Sequence, residues 1–228
     1  MNPFSARDRQ ALREMCRFLV KPVEIWAFLD DGPVSRELYD VLTCLVQLSG
    51  GKLCLKILGA SYLAESTPGP QVCLRPLLRI VQGGELLPLE IAGAPTGYQY
   101  GAFIELLVAV SQGRHQLSPA LENFAKNLKL NVLLEVLVSP TCPYSPHVVR
   151  LAQHFALSNP GRVYARSVDV TQVALSERSV SVVPCLTVQV QGQIRHRHQG
   201  MLTAGELAGF IDAGEREARA YARGIGNH

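Results

Sequence analysis

The stretch VLLEVLVSPTCPYSPHVVRLA, residues 132–152, has the layout of an apolar strand, a turn and the start of a helix. An earlier stretch, PVEIWAFLDDGPVSRELYDVL at residues 22–42, has the same layout and aligns with it at an offset of 110 residues. The later turn holds Cys142, and Ser145 stands where a Cys-x-x-Cys redox motif would have its second thiol. The chain is therefore predicted to repeat one structural unit, with a lone thiol in the turn of the second copy.

The repeat continues beyond these two segments. The other aligned pairs are residues 74–84 with 182–192 and residues 93–107 with 200–214. Each copy thus has the order strand, helix, strand, Pro-initiated strand, strand and helix. A Gly-containing polar segment, SQGRHQLS at residues 111–118, interrupts the pattern between the copies. We predict a domain boundary there, with one unit at residues 1–113 and the other at residues 114–228.

Periodic apolar positions and helix caps predict the helices, and runs rich in Val, Ile and Leu predict the strands. The predicted helices cover about residues 5–20, 34–48, 96–110, 118–129, 144–157 and 203–222. The predicted strands cover about residues 22–29, 52–58, 76–81, 86–91, 131–139, 162–169, 184–190 and 193–198. Ser118, followed by Pro119, and Thr203 are the expected helix caps. Alternating strands and helices indicate an α/β protein.

Composition and charge narrow the classes of function. The chain has 228 residues, of which 47% are hydrophobic and 18% charged, as expected of a well-packed globular protein. The net charge is only +3 and the basic residues are scattered, which argues against nucleic acid and against a membrane surface as partners. No apolar run approaches the length that spans a bilayer. We therefore expect a cytoplasmic protein.

The cysteines show no paired spacing. They stand at positions 16, 44, 54, 73, 142 and 185, mostly within apolar stretches. A secreted disulfide framework or a zinc site would space them differently. Most are therefore expected to be buried thiols, and neither a metal nor another resident cofactor is predicted.

The duplicated pattern, the CPY sequence at a helix start and the Val183–Pro184 step resemble the two-unit protein disulfide oxidoreductases, which are glutaredoxin-like. The chain is also similar to the N-terminal module of the flavoprotein component of alkyl hydroperoxide reductase. The resemblance covers nearly the whole chain and implies two tandem thioredoxin-like folds, each a mixed β-sheet flanked by helices. It further implies thiol–disulfide exchange in redox homeostasis, with protein or small-molecule disulfides as substrates and a thiol or flavoprotein as reductant.

The chain departs from that family at both active-site turns. The family has Cys-Pro-Tyr-Cys in its second unit, whereas this chain keeps Cys142 and has Ser145 at the second position. In the first unit Gly32 aligns with Cys142, and Ser35 aligns with Ser145. The first unit is therefore predicted to be degenerate, and dithiol exchange is broken in the second.

The chemistry left to the second unit depends on Cys142. A cysteine that precedes a helix faces unpaired backbone N–H groups and the positive end of the helix dipole, which favour the thiolate. Ser145 can donate a hydrogen bond to the sulfur but cannot resolve a mixed disulfide. We predict monothiol exchange with Cys142 as nucleophile, Ser145 assisting and a low-molecular-weight thiol as co-substrate. The alternative is a non-catalytic adaptor that binds a protein partner in the same groove.

The resemblance also implies a substrate-binding set. Pro143 and Tyr144 shape the turn after the cysteine. Pro184 matches the cis proline that lies against the cysteine pair in the family, and the backbone of Val183 would meet an extended peptide or a thiol ligand. An ordinary trans proline at the start of an edge strand is the alternative for Pro184.

Two further residues are candidate auxiliaries. Cys185 follows Pro184 and is either a resolving thiol, one of two sulfurs sharing a metal with Cys142, or a small buried core residue. Glu135 lies seven positions before Cys142 and either relays protons beneath the site or faces water at a strand end.

The histidines leave similar alternatives. His147 and His154 are seven residues apart on one helix face, and His147 either tunes the pKa of the cysteine or, like His154, is a partly exposed helix residue. His196 and His198 alternate along a strand, but no further metal ligands accompany them, so a solvated edge is expected.

Overall fold

The computed structural model describes residues 4–59, 74–173 and 182–225. The helices in these ranges are α1 (Ala6–Cys16), α2 (Pro33–Leu48), α3 (Tyr98–Gln112), α4 (Pro119–Lys126), α5 (Ser145–Ser158) and α6 (Ala204–Ile225). The strands are β1 (Val23–Phe28), β2 (Leu53–Ile57), β3 (Leu77–Gln82), β4 (Glu85–Ala92), β5 (Val132–Val138), β6 (Val163–Asp169), β7 (Cys185–Val190) and β8 (Gln193–Gln199). The predicted order of elements is confirmed.

Local capping explains several of the helix boundaries. Ser118 Oγ accepts a hydrogen bond from the N–H of Leu121 at the start of α4, and Thr203 and Glu206 cap α6 reciprocally. Gly113 ends α3 with a positive φ of 64°, a conformation that glycine adopts without steric penalty. The predicted first helix is too long, because α1 stops at Cys16 and the chain continues in a turn.

All the strands form one mixed sheet with the order β2-β1-β3-β4-β6-β5-β7-β8. Each half has the same arrangement: one parallel pair, β1–β2 or β5–β6, followed by two antiparallel pairs. The predicted fold class is confirmed, and parallel pairing of β4 with β6 joins the halves into a continuous sheet. The division at residue 113 stays a prediction, since the sheet runs through both units.

The two faces of the sheet have different coverings. Alternate strand residues such as Ile25, Leu134 and Val188 share a large apolar core with buried residues from all six helices. A second apolar cluster, which includes Phe28 and Leu137, lies on the other face and contains no residue from the described helices. None of these helices is both long enough and apolar enough to cross a membrane.

A row of charged side chains crosses the middle of the sheet on the face away from the helices. It consists of Arg79, Glu90, Arg166 and Glu135, on the adjacent strands β3, β4, β6 and β5. Arg79 Nη2 lies 2.9 Å from Glu90 Oε1, and Arg166 Nε lies 2.7 Å from Glu90 Oε2. Arg166 Nη1 is 3.5 Å from Glu135 Oε2. Because Glu90 and Arg166 stand on β4 and β6, this charge row connects the two units.

Glu135 is therefore not at a water-facing strand end. It lies in the middle of β5 and is buried, with Arg166 as an ion-pair partner. That interpretation of the sequence was wrong because β5 is a central strand between β6 and β7, and Arg166 of β6 contacts the carboxylate, neither of which the local pattern reveals. A proton-relay role for Glu135 stays a prediction.

Candidate active site around Cys142

The turn between β5 and α5 holds Cys142 directly before the helix. The N–H of Cys142 donates to Ser139 O at 3.2 Å, and the N–H of His147 donates to Tyr144 O at 3.2 Å. Tyr144 is the N-cap of α5, and no side chain caps the helix there. Since Pro146 has no N–H, the groups left to face the Cys142 sulfur are the N–H groups of Tyr144 and Ser145.

The sulfur of Cys142 sits among groups with opposing effects on its pKa. Burial raises the pKa, whereas the Ser145 hydroxyl and the N–H groups of Tyr144 and Ser145 lower it, and the net result is a pKa below the ordinary cysteine value. Cys142 Sγ also donates to Val183 O at 3.5 Å. That contact needs the thiol proton, so it favours the neutral form and partly offsets the other groups.

Ser145 is fully buried, with 0% exposure, at the first position of α5. Its hydroxyl reaches no partner at ordinary hydrogen-bond geometry among the described residues. The hydroxyl is nevertheless close enough to the sulfur to lower the pKa of Cys142. We conclude that the contact with the thiol is long or poorly aligned.

The predicted substrate-binding residues lie around the sulfur. The Val183–Pro184 bond is cis, as is the matching Arg75–Pro76 bond of the first unit. Val183 is half-buried and meets Cys142 through its carbonyl, while Pro184 is buried. Pro143 is exposed, and Tyr144 is 58% exposed. The structure therefore brings residues 142–145 and 183–184 together.

Exposed apolar side chains adjoin this site, and the sequence pattern did not single them out. Val182 precedes Val183, and Met201 precedes Leu202, whose carbonyl lies 3.0 Å from His147 Nε2. Tyr98, at the start of α3, belongs to the first unit. The only feature of the sequence that marks Tyr98 is the glycine before it, Gly97, which permits a close approach between segments.

Gly97 allows the first unit to touch the active-site turn. The N–H of Tyr98 donates to Pro140 O at 3.0 Å, two residues before Cys142. Gly97 has a positive φ of 55°, and a Cβ at this position would overlap the Pro140 carbonyl oxygen. The first unit thus helps to hold the turn of the second.

The candidate auxiliaries have definite surroundings. Cys185 is 1% exposed within the second apolar cluster, as the core-residue alternative predicted, and its resolving role stays untested. His147 is half-buried, with Nε2 at the Leu202 carbonyl. His154 is buried, at 9% exposure, so the expectation that it is partly exposed was wrong.

The paired histidines of β8 pack against a helix. The His196 ring stacks on Phe210 of α6 at a centroid distance of 3.7 Å, and His198 Nε2 lies 3.0 Å from Met201 O. Within the described part of the chain, no group of three or more His, Cys, Asp or Glu side chains is arranged to hold a metal ion.

The other cysteines differ in exposure. Cys16 and Cys44 are buried as expected, and burial raises the pKa of Cys16. Cys54 is exposed, contrary to expectation, because β2 is an edge strand and its neighbours Leu53 and Leu55 take the side facing the core. Cys73 lies outside the described residues.

The turn of the first unit has an oxygen network where the second has a thiol. Ser35 Oγ donates to Asp30 Oδ1 at 2.6 Å, and the N–H of Gly32 donates to the same oxygen at 3.0 Å. The N–H of Asp30 in turn donates to Ser35 Oγ at 3.1 Å. These bonds, with the Ser35 bond contributing most, hold the pKa of Asp30 below its usual value. This turn is a structural element without a nucleophile.

Replacing Ser35 by alanine is expected to destabilise the protein by about 1–2 kcal/mol, because it removes a hydrogen bond to a carboxylate. Since the folded-state pKa of Asp30 is lowered, this stabilisation is complete at neutral pH and is lost as the pH falls through that pKa. Urea unfolding at neutral and acidic pH measures the effect. The rate at which Cys142 reacts with a small disulfide should stay within about twofold of the rate in the natural chain. A large loss of that rate with the fold intact would contradict the division of roles between the units.

The structure defines the class of fold: two tandem thioredoxin folds that share one sheet, with Cys142 in the turn before α5. Curated relatives agree with the predicted resemblance. The chain is 27% identical over 213 residues to the alkyl hydroperoxide reductase protein AhpF of Pseudomonas putida and 26% identical over 204 residues to that of Escherichia coli K12. These alignments cover 92% and 89% of this chain but only 38% and 36% of the relatives. No protein-family model matches the chain.

Solved structures show the same fold. The NTD_N/C domain of alkylhydroperoxide reductase AhpF from Enterococcus faecalis aligns with a TM-score of 0.75 at 24% identity, over 91% of this chain and 99% of that one. A protein disulfide oxidoreductase from Aeropyrum pernix aligns with a TM-score of 0.76 at 20% identity, over 93% of this chain and 94% of that one. The double thioredoxin fold is thereby confirmed.

Proposed function

We propose that this protein exchanges disulfides through the single thiolate of Cys142. The observation that carries the proposal is the position of Cys142 before α5, where N–H groups and the Ser145 hydroxyl together outweigh burial and lower the pKa of the thiol. A lowered pKa increases the thiolate fraction at neutral pH, and the thiolate is the form that attacks disulfides.

The reaction proceeds in two exchanges. The Cys142 thiolate attacks one sulfur of a substrate disulfide, a mixed disulfide forms on Cys142, and the other substrate sulfur leaves as a thiolate. Ser145 has no sulfur with which to break this bond. A second thiolate, from a low-molecular-weight thiol, then attacks the substrate sulfur and releases Cys142 as a thiolate. Each step forms one S–S bond and breaks one.

The relatives suggest where the electrons come from and go to. Curated relatives that match most of this chain are alkyl hydroperoxide reductase proteins, so a thiol or a flavoprotein is the proposed reductant and a protein or small-molecule disulfide the proposed substrate. The chain spans less than two fifths of those relatives, and their activity is carried over here only as a proposal. A free nucleophilic thiol suits a reducing compartment such as the cytoplasm.

The adaptor alternative also has support. Tyr98, Tyr144, Val182 and Met201 are exposed apolar side chains close to the turn or to its contacts, and such residues are frequent where proteins bind each other. The two functions predict different behaviour of the Cys142 thiol.

Incubation with bis(2-hydroxyethyl) disulfide at neutral pH is expected to give a mixed disulfide on Cys142 at least about tenfold faster than on Cys54. Cys54 is the matched control because it is exposed but precedes no helix. Intact mass and peptide mapping identify the modified residue, and Cys142→Ala should remove the fast adduct. Equal labelling, or faster labelling of Cys54, would leave the adaptor as the better explanation.

The pH dependence of iodoacetamide alkylation gives a second test. The midpoint for Cys142 should lie below that of the same cysteine in urea-unfolded protein, because the folded-state pKa is lowered. Ser145→Ala should move the midpoint upward, since the Ser145 hydroxyl is the group that lowers this pKa most. An unchanged midpoint in Ser145→Ala would show that the hydroxyl does not act on the sulfur.

A further inference from the structure

A cavity of about 420 Å³ lies between the two units, away from Cys142. Its walls come from α1 and the turn after it, from α3, from residues 114–116 and from α5. This volume is within the range of small-molecule sites. His154, in its wall, is the tenth residue of α5, so it lies about 14 Å along the helix axis from Ser145. The inter-unit cavity is therefore a separate feature from the redox site.

The polar part of the inter-unit cavity is mainly basic. Arg114 and Arg150 line it together with His115 and His154. Its acidic side chain is Glu105, whose Oε2 lies 2.8 Å from Arg150 Nη1 in a half-exposed ion pair. Two positive charges thus face one negative charge, even with both imidazoles neutral.

Both imidazoles have an unsatisfied nitrogen. The Nδ1 atoms of His115 and His154 are buried and have no hydrogen-bond partner within the described ranges. Buried polar atoms in folded proteins are normally paired with protein, ordered water or ligand. Both nitrogens are out of reach of solvent and therefore do not open onto the cavity, which the two histidines line with other atoms.

The cavity also has apolar side chains in its lining. Met15 and Phe18 line it from the first unit, together with Leu106 and Val108 of α3. Phe18 is 62% exposed, so its ring is accessible to a molecule in the cavity. A lining that combines apolar side chains with arginines matches a molecule with an apolar body and an anionic group.

We propose that the inter-unit cavity binds a small amphipathic organic anion, whose acid group pairs with Arg150 and Arg114 and whose apolar body packs on Phe18 and Met15. A carboxylate, sulfonate or phosphate monoester has the required acid group, and these share the same recognition chemistry. Because the walls belong to both units, the bound anion links α1 and α3 to α5 and stabilises the folded chain.

Binding should tighten as the pH falls. Burial lowers the pKa of His154, and the nearby His115 and Arg150 lower it further, with Glu105 opposing them. The imidazole is thus neutral at neutral pH and gains a proton only on acidification. An anion favours the protonated ring, so affinity rises through that titration.

The charges on neighbouring elements bear on the same titration. Glu122 of α4 lies 3.4 Å from His115 Nε2 and also pairs with Lys126. Arg114 also lines the cavity. Glu122→Gln therefore serves to separate the contribution of His115 from that of His154.

The test compares two fluorescent probes with the same aromatic body, 1-anilinonaphthalene-8-sulfonate and the uncharged N-phenyl-1-naphthylamine. The sulfonate is expected to bind the full chain at one site and to bind at least tenfold more tightly than the uncharged probe. Arg150→Gln should weaken sulfonate binding about tenfold, and Glu105→Gln should strengthen it, because that change frees Arg150 from its partner. The uncharged probe should respond to neither change but should weaken in Phe18→Ala.

Arg216→Gln, in an exposed pair with Asp212 on α6, is the matched control and should alter neither probe. Circular dichroism checks that each variant is folded, and Arg114→Gln replaces Arg150→Gln if the latter is not. Equal affinity for the two probes, or sulfonate binding that ignores both Arg150→Gln and Glu105→Gln, would overturn the proposal. Neither result depends on the reactivity of Cys142.

Discussion

Replacing Ser145 by cysteine is expected to raise the rate of insulin reduction, with dithiothreitol as electron source, at least about tenfold over the natural chain. Ser145 lies at the first position of α5, fully buried, and its side chain acts on the Cys142 sulfur. A thiol at this place can attack the mixed disulfide on Cys142 directly. In the natural chain the same intermediate waits for an external thiol, so net reduction is slow.

The repeat supplies a matched control for this change. Ser35 is the buried serine at the corresponding place in the first unit, where Gly32 offers no nucleophile. Ser35→Cys should therefore leave insulin reduction at the background rate, and the double variant Ser145→Cys with Cys142→Ala should also be inactive. Precipitation of the insulin B chain, followed by light scattering, measures all three.

Rapid insulin reduction by the natural chain would contradict the monothiol mechanism. It would mean that another sulfur of the chain resolves the mixed disulfide. Cys185 would be the first candidate, since it directly follows Pro184 although it is 1% exposed. Cys185→Ala in the natural background would then abolish the activity.

Replacing Arg166 by methionine is expected to lower the free energy of unfolding by about 3–5 kcal/mol, the range found when one partner of a buried ion pair is removed. Arg166 is 4% exposed in β6 and contacts the carboxylates of Glu90 and Glu135. Methionine fills a similar volume but leaves the buried carboxylate of Glu135 and the half-buried carboxylate of Glu90 less compensated. Because Glu90 stands on β4, the change also weakens the junction between the units.

An exposed ion pair provides the comparison for this effect. Arg216 contacts Asp212 at 2.9 Å on the surface of α6, and Arg216→Met should change the free energy of unfolding by less than about 1 kcal/mol. Urea unfolding followed by circular dichroism measures both variants. If Arg166→Met lowered the free energy of unfolding no more than Arg216→Met does, the charge row would contribute little to the stability of the sheet. Replacing all four members of the charge row, Arg79, Glu90, Arg166 and Glu135, together by apolar residues should recover part of the lost stability.

Local sequence patterns determined the elements of the fold and their order. Apolar periodicity, caps such as Ser118 and Thr203, and the stop at Gly113 act within a few residues, so a single sequence reveals them. The repeat then indicated two copies of one unit. Its offset of 110 residues does not hold inside the first strand of each unit. Trp26 pairs with Arg79, and Glu135 pairs with Thr187, the residue aligned with Arg79. Trp26 and Glu135 are thus equivalent although they are 109 residues apart, so β1 and β5 are one residue out of the register that the turns suggest.

The sequence by itself determined where the proposed nucleophile lies, because Cys142, its turn and the N-terminus of α5 are consecutive in the chain. Tertiary structure alone decided what surrounds it. The Val183 carbonyl and Tyr98 of the first unit reach the turn through strand pairing and helix packing between distant segments. Burial was decided in the same way. Cys54 is exposed because β2 is the edge strand of the sheet. Glu135 and His154 are buried because segments distant in the sequence pack around them. Exposure depends on which segments pack together, and such non-local packing leaves no periodic signal in the segment that it covers.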